Sequence, residues 1–406
     1  MTPQHADLCI IGAGAAGLFA GIFAARTYPN KRIILLDGAK KLGAKILVAG
    51  GGRCNVTHDV VNAEDYAGGS KNAIRKVLKR FDVEQTTAFF KEMGVSLKRE
   101  ETGKLFPTTD DSKTILNALL HALKEAGGQI HHPYKVESLR HNGGMFEISG
   151  AWGTMQASHV ILATGGKALP KSGSDGSGYA LAQSLGHTLT DAVFPALVPL
   201  ILPGDHPFRQ LSGIAIPATL EVWDKKRRAG FTNSLLLTHF GLSGPAALDI
   251  SRHWIAAQPD ARLIINFLPE MTSETFDALL QNTNRQSIGR ILTQHLPERL
   301  ARVLCEQAEL SFNADQLTKV QRRNLVEIVT AQTIPISGNR GFTYAEVTAG
   351  GIPLTEIRLE TMESRLCEGL HLCGEICDVD GRIGGYNFQW AWSSGYVAGI
   401  SAMNML

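Results

Sequence analysis

The hydrophobic pattern at the start of the chain predicts a strand, a helix and a second strand. Residues 8–25 carry no charge, and four consecutive apolar residues follow at 33–36. An apolar run of four to eight residues is typical of a strand buried on both faces. The alanine-rich stretch from Ala15 to Ala25 between the two runs is expected to be helical. This order predicts a βαβ unit, the building block of a parallel sheet.

Further along, the period of the pattern changes several times. Helical spacing is found at 70–93 and 112–126, with Asp110 or Asp111 as a helix cap and an exposed connector at 103–107. Short strands with glycine turns follow from Gln129 onward and end in a buried strand near Ala163. Further segments predict strands at 196–268, helices at 270–332, a strand at 369–375 and a final helix at 389–403.

These changes predict an interrupted first domain. Glycine-rich segments of the kind that border a large ligand occur near both ends of the chain, and a proline-rich, β-rich stretch begins near Pro195. We therefore expect a ligand-binding domain formed by 1–194 and 336–406. A β-rich insert at 195–268 and a helical subdomain at 269–335 would lie between its two parts.

Composition narrows the class of protein. The chain has 406 residues, 44% hydrophobic and 19% charged, with a net charge of +2 and 42 glycines. This is ordinary for a globular α/β protein and points to no particular partner. The uncharged segment at 8–25 lacks a preceding positive region, so it does not resemble a signal peptide or a membrane anchor. We expect a cytoplasmic protein with no membrane partner, and composition leaves the oligomeric state open.

The cysteines and the clusters of basic residues narrow the expected chemistry further. The six cysteines have neither CxxC nor zinc-site spacing, so free thiols, a reducing compartment and no metal site are expected. Basic residues cluster at 71–80 and 225–228. Each cluster is either a solvated surface or a contact surface for RNA or another polyanion.

The first glycine turn has the spacing of a dinucleotide-binding motif. Gly12 allows a tight turn, Gly14 lets the backbone approach a pyrophosphate, and Gly17 allows close packing of helix on strand. The helix that follows directs its positive end at the phosphates. Asp37, at the end of the second strand, is placed to accept a hydrogen bond from a ribose hydroxyl.

Four segments together resemble the BaiN/RdsA family of FAD-dependent oxidoreductases, including its aminoacetone-oxidase-like members. They are GAGAAG at 12–17, GGGRCNVT at 50–57, ATGG at 163–166 and GEICDVDGRIGGYNFQWAWSSG at 374–395. The loop LLLTHFGLSGPA at 235–246 is similar too. The resemblance implies FAD in a two-dinucleotide-binding-like, Rossmann-type α/β fold with a β-barrel-like insert and a helical domain.

The resemblance also implies which residues bind FAD. The expected cofactor-binding residues are Gly12, Gly14, Ala15, Ala16, Gly17, Asp37, Lys45, Gly52, Arg53, Asn55, Val136, Ala163, Thr164, Gly165, Gly374, Glu375, Asp378, Gly385, Tyr386, Asn387 and Phe388. Glu375 departs from the Gly-Asp pair of many flavoproteins, so the acid that contacts the ribityl chain is either Glu375 or Asp378. Lys45 either meets phosphate or is merely solvated.

Two residues are candidates for catalysis. Cys54 follows glycines and Arg53, whose charge would lower the pKa of the thiol, and it would deliver a proton opposite hydride transfer. The alternative is a small packing residue beside FAD. His239, with Ser243, lies in a glycine- and proline-rich loop and either orients substrate or forms a structural turn.

The expected activity is reduction of an electron-poor C=C bond with hydride from NAD(P)H. The chain has no second GxGxxG unit, so NAD(P)H would dock transiently on the flavin. The positive end of the last helix would stabilise anionic reduced flavin by roughly 0.3–2 kcal/mol. The resemblance makes a uridine of ribosomal RNA a candidate substrate, with dihydrouridine as product. The alternatives are an oxidase of small amines or aminoketones that uses oxygen, and a flavin-binding sensor without turnover.

Overall fold

The computed structural model describes residues 5–282 and 286–403. The chain divides into two compact units. The first unit comprises residues 1–195 and 346–406, and the second comprises 196–345. Each unit has its own hydrophobic core. The expected α/β class is therefore confirmed, and the predicted domain bounds stay a prediction.

The helices of the described residues are α1 (Ala15–Thr27), α2 (Ala44–Gly52), α3 (Lys71–Leu78), α4 (Val83–Glu92), α5 (Ser112–Glu125), α6 (Ser177–Gln183), α7 (Gly244–Ala256), α8 (Ser273–Gln281), α9 (Ile288–Thr293), α10 (Glu298–Gln307), α11 (Lys319–Thr330) and α12 (Tyr386–Ser401). None of them is long and apolar enough to cross a membrane.

The strands are β1 (His5–Ile11), β2 (Ile33–Leu36), β3 (Thr57–His58), β4 (Tyr66–Gly68), β5 (Leu97–Arg99), β6 (Lys104–Pro107), β7 (Gln129–His131), β8 (Ser138–Asn142), β9 (Met145–Gly150), β10 (Gly153–Leu162), β11 (Phe194–Ala196), β12 (Leu200–Ile201), β13 (Ala215–Trp223), β14 (Arg227–Thr238), β15 (Gly241–Ser243), β16 (Arg262–Asn266), β17 (Gln332–Ile334), β18 (Gly338–Asn339), β19 (Val347–Ala349), β20 (Ile357–Arg358), β21 (Glu363–Ser364), β22 (Leu370–Leu372) and β23 (Val379–Gly381).

A parallel sheet forms the centre of the first unit. Its strands run in the order β22-β10-β1-β2-β7, and all four neighbouring pairs are parallel. The hairpin of β8 and β9 continues the sheet antiparallel to β10. In parallel sheets of this type, ligands bind at the carboxyl ends of the strands. Here those ends lead into the glycine turn after β1, Asp37 after β2 and the ATGG segment after β10.

The first and last long helices of the first unit pack directly on each other. A Cβ at Gly395 of α12 would lie 2.6 Å from the carbonyl oxygen of Ala16 in α1. One turn further on, a Cβ at Gly399 would overlap the carbonyl oxygen of Ala20. The two backbones can come this close only because α12 has glycine at both points. The C-terminal helix is thereby fixed beside the helix of the dinucleotide motif.

The connections between α3 and α5 differ in part from the pattern-based expectations. The helical stretch at 70–93 is broken, because Asp82 and Gln85 form a capping box that starts the new helix α4. Asp111 caps α5 through the backbone N–H of Lys113. The exposed connector expected at 103–107 is wrong, since 104–107 is strand β6 between β3 and β5. Phe106 is buried, which an exposed loop would not allow.

The second unit contains one seven-stranded sheet in the order β17-β16-β13-β14-β15-β12-β18, and its neighbours are antiparallel. Helices α8 to α11 pass from 273 to 330 before the chain returns to this sheet at β17. The β-rich and helical parts thus belong to one compact unit. Their separation into two domains at 268/269 stays a prediction.

The contact between α1 and α12 can be tested at Gly399. Alanine normally stabilises a helix relative to glycine by about 1 kcal/mol. We expect the reverse for Gly399→Ala, a loss of about 1–3 kcal/mol in the free energy of unfolding of the cofactor-free protein, because a backbone oxygen occupies the space. Denaturant unfolding measures this. Gly338→Ala is the matched control, because a Cβ there meets no atom within 4 Å. Equal effects of the two substitutions would contradict the close contact.

Candidate nucleotide-binding site

Two of the three motif glycines are required by the packing of the protein itself. Gly12 has a φ of +104°, and a Cβ there would overlap the carbonyl oxygen of Ala163 at the end of β10. A Cβ at Gly17 would overlap the carbonyl oxygen of Gly12. These contacts lock the start of α1 against β1 and β10. Neither glycine therefore gives independent information about a ligand.

Gly14 is different, because nothing in the protein requires glycine there. Its φ of −79° and ψ of −167° are ordinary extended values that any residue adopts. A Cβ at this position would meet no atom of the described part of the chain within 4 Å. Gly14 is the residue that precedes α1, so the open space lies at the N-terminus of that helix, next to Ala15 and Ala16. A glycine whose backbone borders open space is typical of a site where a ligand approaches the backbone closely.

Asp37 organises the turn on which it lies. One carboxylate oxygen accepts the N–H of Ala13 at 2.7 Å, and the other accepts the N–H of Ala39 at 2.8 Å. The side chain is half-buried at the end of β2. A carboxylate oxygen can accept more than one hydrogen bond, so Asp37 retains capacity for a ribose hydroxyl. Its position after the second strand is the one that the motif requires.

A group of hydroxyls surrounds the ATGG segment. Gly165 has a φ of +73°, and a Cβ there would lie 2.8 Å from the hydroxyl of Ser174. Four buried hydroxyl oxygens near this loop lack a hydrogen-bond partner among residues 5–282 and 286–403: those of Thr164, Ser172, Ser174 and Tyr179. Buried polar groups without partners are rare in folded proteins. Their concentration here fits a polar ligand such as the ribose and phosphates of a dinucleotide.

Lys45 and Glu375 form an ion pair next to these hydroxyls. The ammonium group of Lys45 donates to one oxygen of Glu375, and the other oxygen accepts the N–H of Thr348 at 2.9 Å. Burial, and next the charge of Glu375, raises the pKa of the Tyr179 hydroxyl, which therefore stays protonated. Lys45 is thus held in place rather than merely solvated. Of the two candidate acids, Glu375 is the one whose side chain pairs with Lys45 and accepts the N–H of Thr348.

The same segment is fixed to α12. The N–H of Gly374 donates to the hydroxyl of Ser394 at 3.0 Å, and its carbonyl accepts the indole N–H of Trp390 at 3.0 Å. Gly374 has a φ of +76°. Asp378 accepts the N–H of Gly69 through its backbone carbonyl at 2.8 Å. The segment after β22 is therefore positioned by backbone and helix contacts from several elements.

The triple-glycine segment contains an unusual run of left-handed backbone. Gly50, Gly51 and Gly52 have φ values of +58°, +69° and +87°, and Cys54 has +61°. The helical conformation of α2 is interrupted at Ala49. Glycine adopts this region freely, whereas a residue with a Cβ does so at a cost. The three glycines at 50–52 therefore do not continue the regular helix of α2.

The expected effect of Arg53 on Cys54 is wrong. The thiol is 0% exposed, and loss of solvation raises its pKa to about 12. The Arg53 guanidinium instead pairs with Glu100 at 2.6 Å and with Asp110 at 3.6 Å. It also lies 4.0 Å above the ring of Phe106. Cys54 is a neutral thiol at neutral pH, and the structure favours the packing alternative over an activated thiol.

Asn55 and the start of α12 complete the region. The Asn55 side-chain oxygen is buried without a partner in the protein. Gly385, with a φ of +96°, packs on Thr57, because a Cβ there would lie 2.5 Å from the Thr57 carbonyl carbon. Asn387 bonds both the N–H and the carbonyl of Gly381. The N-terminus of α12 therefore lies against the segment that carries Asn55.

Two further aromatic residues at this helix end are engaged with other rings. Tyr386 stacks on His58, with ring centroids 5.0 Å apart. Phe388 stacks on Trp392 at 5.4 Å. These contacts give both residues a structural role, and their predicted contact with FAD stays a prediction.

Val136 and His239 lie in different surroundings. Val136 is 5% exposed and borders a cavity of about 370 Å³ with Ser177 and Leu181 of α6. His239 belongs to the second unit, in the turn between β14 and β15. Its carbonyl accepts the Nε–H of Arg209 at 2.7 Å. A catalytic role for His239 stays a prediction.

Sequence reasoning did not single out several polar residues of the site. Thr348 was not named, although its hydroxyl accepts the N–H groups of Lys167 and Ala168 at 2.8 and 3.0 Å and its own N–H bonds Glu375. Ser174 and Tyr179 were missed as well. Their signal was the serine- and glycine-rich segment after ATGG, which sequence alone marks as a loop but not as a set of converging hydroxyls.

Comparison with known proteins shows relatives over the whole chain. It is 36% identical over 403 residues to the 3-dehydro-bile acid delta(4,6)-reductase of Clostridium scindens, covering 97% of this chain and 98% of the relative. It is 33% identical over 397 residues to the ribosomal RNA dihydrouridine synthase of Escherichia coli, covering 97% of each. The protein of the same name from Haemophilus influenzae is 33% identical over 408 residues, with 98% of each covered.

Solved structures support the fold. A variant of the FrdA subunit of E. coli quinol fumarate reductase aligns with a TM-score of 0.53 and 18% identity, over 99% of this chain and 70% of that one. A quinol-fumarate reductase with menaquinol molecules aligns with a TM-score of 0.51 and 18% identity, and the alignment covers 99% of this chain and 71% of that one. At this identity the likeness concerns the fold alone.

The family model described as HI0933-like protein Rossmann domain matches residues 6–401. This match spans both chain ends and the intervening unit. It agrees with the resemblance inferred from the motifs, and full-length relatives named as a reductase and a synthase agree with it. The chain therefore belongs to the HI0933-like family of BaiN/RdsA-like flavoprotein oxidoreductases.

Proposed function

We propose that the protein is an FAD-dependent enzyme that takes hydride from NAD(P)H and reduces an electron-poor C=C bond. The observation that carries this proposal is the open space at Gly14, and the buried hydroxyls around the ATGG segment, which lack partners among the described residues, support it. A dinucleotide fits both features, because its pyrophosphate needs close backbone approach and its riboses and phosphates offer hydrogen-bond partners.

Each part of the site has a task in this proposal. Bound FAD would supply the hydride-transfer chemistry. Gly14 and the N-terminus of α1 would hold the pyrophosphate, and Asp37 the adenosine ribose. Lys45, kept in place by Glu375, would add a positive charge near the phosphates. Val136 would offer its backbone to the adenine, beside the cavity that it borders.

The class of substrate is inferred from the relatives. The name delta(4,6)-reductase denotes reduction of carbon–carbon double bonds, and dihydrouridine is uridine with its ring double bond reduced. Both double bonds are made electron-poor by a conjugated carbonyl group. We propose the same bond type for this chain, with a uridine of ribosomal RNA as the candidate substrate.

The basic residues at 71–80 contribute little support for RNA binding. Arg75 pairs with Glu64 at 2.5 Å, and Lys76 lies 4.0 Å from Glu360. Lys71 donates to the backbone carbonyls of Glu64 and Tyr66. Much of this positive charge is thus neutralised or used within the protein. The solvated-surface interpretation of this helix is favoured.

Anaerobic mixing tests the proposed function. Bleaching of the flavin by NADH or NADPH, followed by reoxidation with uridine-containing RNA and detection of dihydrouridine by nucleoside mass spectrometry, is the expected result. Bleaching by an amine and reoxidation by oxygen would indicate an oxidase instead. No bleaching by any donor would indicate a sensor. RNA from a strain lacking the gene should lack one dihydrouridine that the complemented strain contains.

We predict that Gly14→Val removes most of the bound FAD without weakening the fold. The valine side chain would enter the space assigned to the pyrophosphate, so FAD affinity should fall about tenfold or more, at least about 1.4 kcal/mol. Flavin released by acid precipitation measures the content, and it should be FAD.

Gly17→Ala is the matched control for this substitution. Its Cβ would overlap the protein's own backbone, so it should lower the unfolding midpoint of the cofactor-free protein. Gly14→Val should leave the free energy of unfolding of the cofactor-free protein within about 0.5 kcal/mol of the wild-type value. FMN in the supernatant, or unchanged FAD binding by Gly14→Val, would contradict the assignment.

We predict that Cys54→Ala lowers FAD retention but leaves turnover per bound flavin unchanged. The thiol is buried, its pKa is raised to about 12, and it therefore contributes no ionisation between pH 6 and 9. Stopped-flow traces of flavin reduction and reoxidation, normalised to bound flavin, measure the two half-reactions. Selective slowing of reoxidation by roughly 10²–10⁴-fold would instead identify Cys54 as a proton donor.

A further inference from the structure

The second unit carries a partly exposed group of planar side chains that the nucleotide site does not include. We call this group the Arg340 cluster; it consists of Arg209, His239, Phe240, Arg340 and Tyr344. The guanidinium carbon of Arg340 lies 3.5 Å from the centroid of the Tyr344 ring and 4.5 Å from that of Phe240. Tyr344 is 50% exposed although it is a large aromatic residue. The cluster therefore stacks a half-buried guanidinium between two rings, of which Tyr344 is exposed to solvent and Phe240 is half-buried.

The backbone holds these side chains in fixed positions. The turn that carries Phe240 is closed by Thr238, whose hydroxyl donates to the carbonyl of Gly241 at 2.8 Å and accepts its N–H at 3.1 Å. Strand β12 lies between β15 and β18, so it separates this turn from the segment of Arg340. The N–H of Arg340 donates to the Pro199 carbonyl at 3.1 Å. The stack is thus supported by the main sheet of the unit.

The positive charges of the cluster are not neutralised by the protein. Within residues 5–282 and 286–403, neither Arg209 nor Arg340 forms an ion pair with a carboxylate. Arg209 uses its Nε–H for the His239 carbonyl, which leaves its terminal nitrogens for other acceptors. Elsewhere in the same unit, Arg228 pairs with Asp224 and Arg322 with Asp277. The two arginines of the cluster are available to an external anion.

We propose that the Arg340 cluster binds single-stranded RNA, with an unpaired base against Tyr344 and Arg340 and backbone phosphates on the two guanidinium groups. Proteins read single-stranded RNA by stacking unstacked bases on aromatic rings and on arginine planes. Guanidinium groups also suit phosphate, since they donate two parallel hydrogen bonds. A bile acid has neither a nucleobase nor a row of phosphates. The inference rests on the proposed function and assigns a binding surface to its RNA substrate.

The test measures binding of a fluorescently labelled oligouridylate by the full-length, FAD-loaded protein. We expect Tyr344→Ala and Arg340→Ala to weaken binding by about 5–100-fold, the usual effect of losing one stacked base. Tyr344→Phe keeps the ring and should bind like the wild type. Arg340→Lys keeps the charge but loses the plane, so it should weaken binding while preserving the salt dependence. Arg262→Ala, at an exposed arginine of β16, is the matched control and should have no effect.

Heparin, a polyanion without bases, separates stacking from charge. Tyr344→Ala should leave heparin binding unchanged, whereas equal losses for heparin and oligouridylate would overturn the proposal. Unchanged RNA binding by Tyr344→Ala and Arg340→Lys would overturn it too. The flavin spectrum of each variant reports its folding, and Arg340→Lys replaces Arg340→Ala if the latter loses FAD.

The two proposals fail in different experiments. A protein whose flavin is reduced by NAD(P)H and reoxidised by a small unsaturated ketone, but which does not bind oligouridylate, would overturn the RNA surface and leave the reductase proposal intact. A protein that binds oligouridylate through Tyr344 and is not reduced by NAD(P)H would support the surface and contradict the proposed reaction.

Discussion

The close contact of α1 with α12 is the constraint on which the first unit depends. The backbone oxygens of Ala16 and Ala20 face Gly395 and Gly399 with no room for a side chain. Because α1 starts at the dinucleotide motif, its partner helix is fixed relative to that motif. Trp390 and Ser394 of α12 then hold both backbone groups of Gly374. The segment after β22 is in this way positioned beside a motif more than 350 residues earlier in the chain.

The sequence was sufficient to predict the part of the fold that local rules govern. The apolar runs of β1 and β2, the turn at Gly12 and the acid at Asp37 are encoded within thirty residues of each other. The break between α3 and α4 was missed, since the capping box of Asp82 interrupts an otherwise continuous helical pattern. Strand β6 was missed because its partners β3 and β5 are short and its buried residues follow a glycine. At α3 and α4 a local cap determines the structure, and at β6 pairing with strands that are distant in the sequence determines it. The hydrophobic period shows neither.

The ion pairs of the site and the pKa of Cys54 could not be predicted from which residues are neighbours in the sequence. Arg53 precedes Cys54, which suggested that its charge acts on the thiol. In the fold, that charge is taken up by Glu100 and Asp110, which lie about fifty residues away in the sequence, and by the ring of Phe106. The Cys54 thiol is buried away from solvent, and this desolvation raises its pKa. Likewise, Lys45 has no acid near it in sequence, yet Glu375 reaches it from the far end of the chain.

The three motif glycines show how a structure separates folding requirements from ligand requirements. Gly12 and Gly17 satisfy contacts inside the protein, so a protein without any ligand would need them as well. Gly14 satisfies none, and its dihedral angles suit any residue. The same reasoning applies to polar groups, because the hydroxyls of Thr164 and Ser174 are buried at a cost that no protein contact offsets. Residues that the fold does not explain are therefore the ones that point to the cofactor. In the second unit, Arg340 lies between the exposed ring of Tyr344 and the half-buried ring of Phe240 and pairs with no carboxylate of the described residues, and it points to the substrate in the same way.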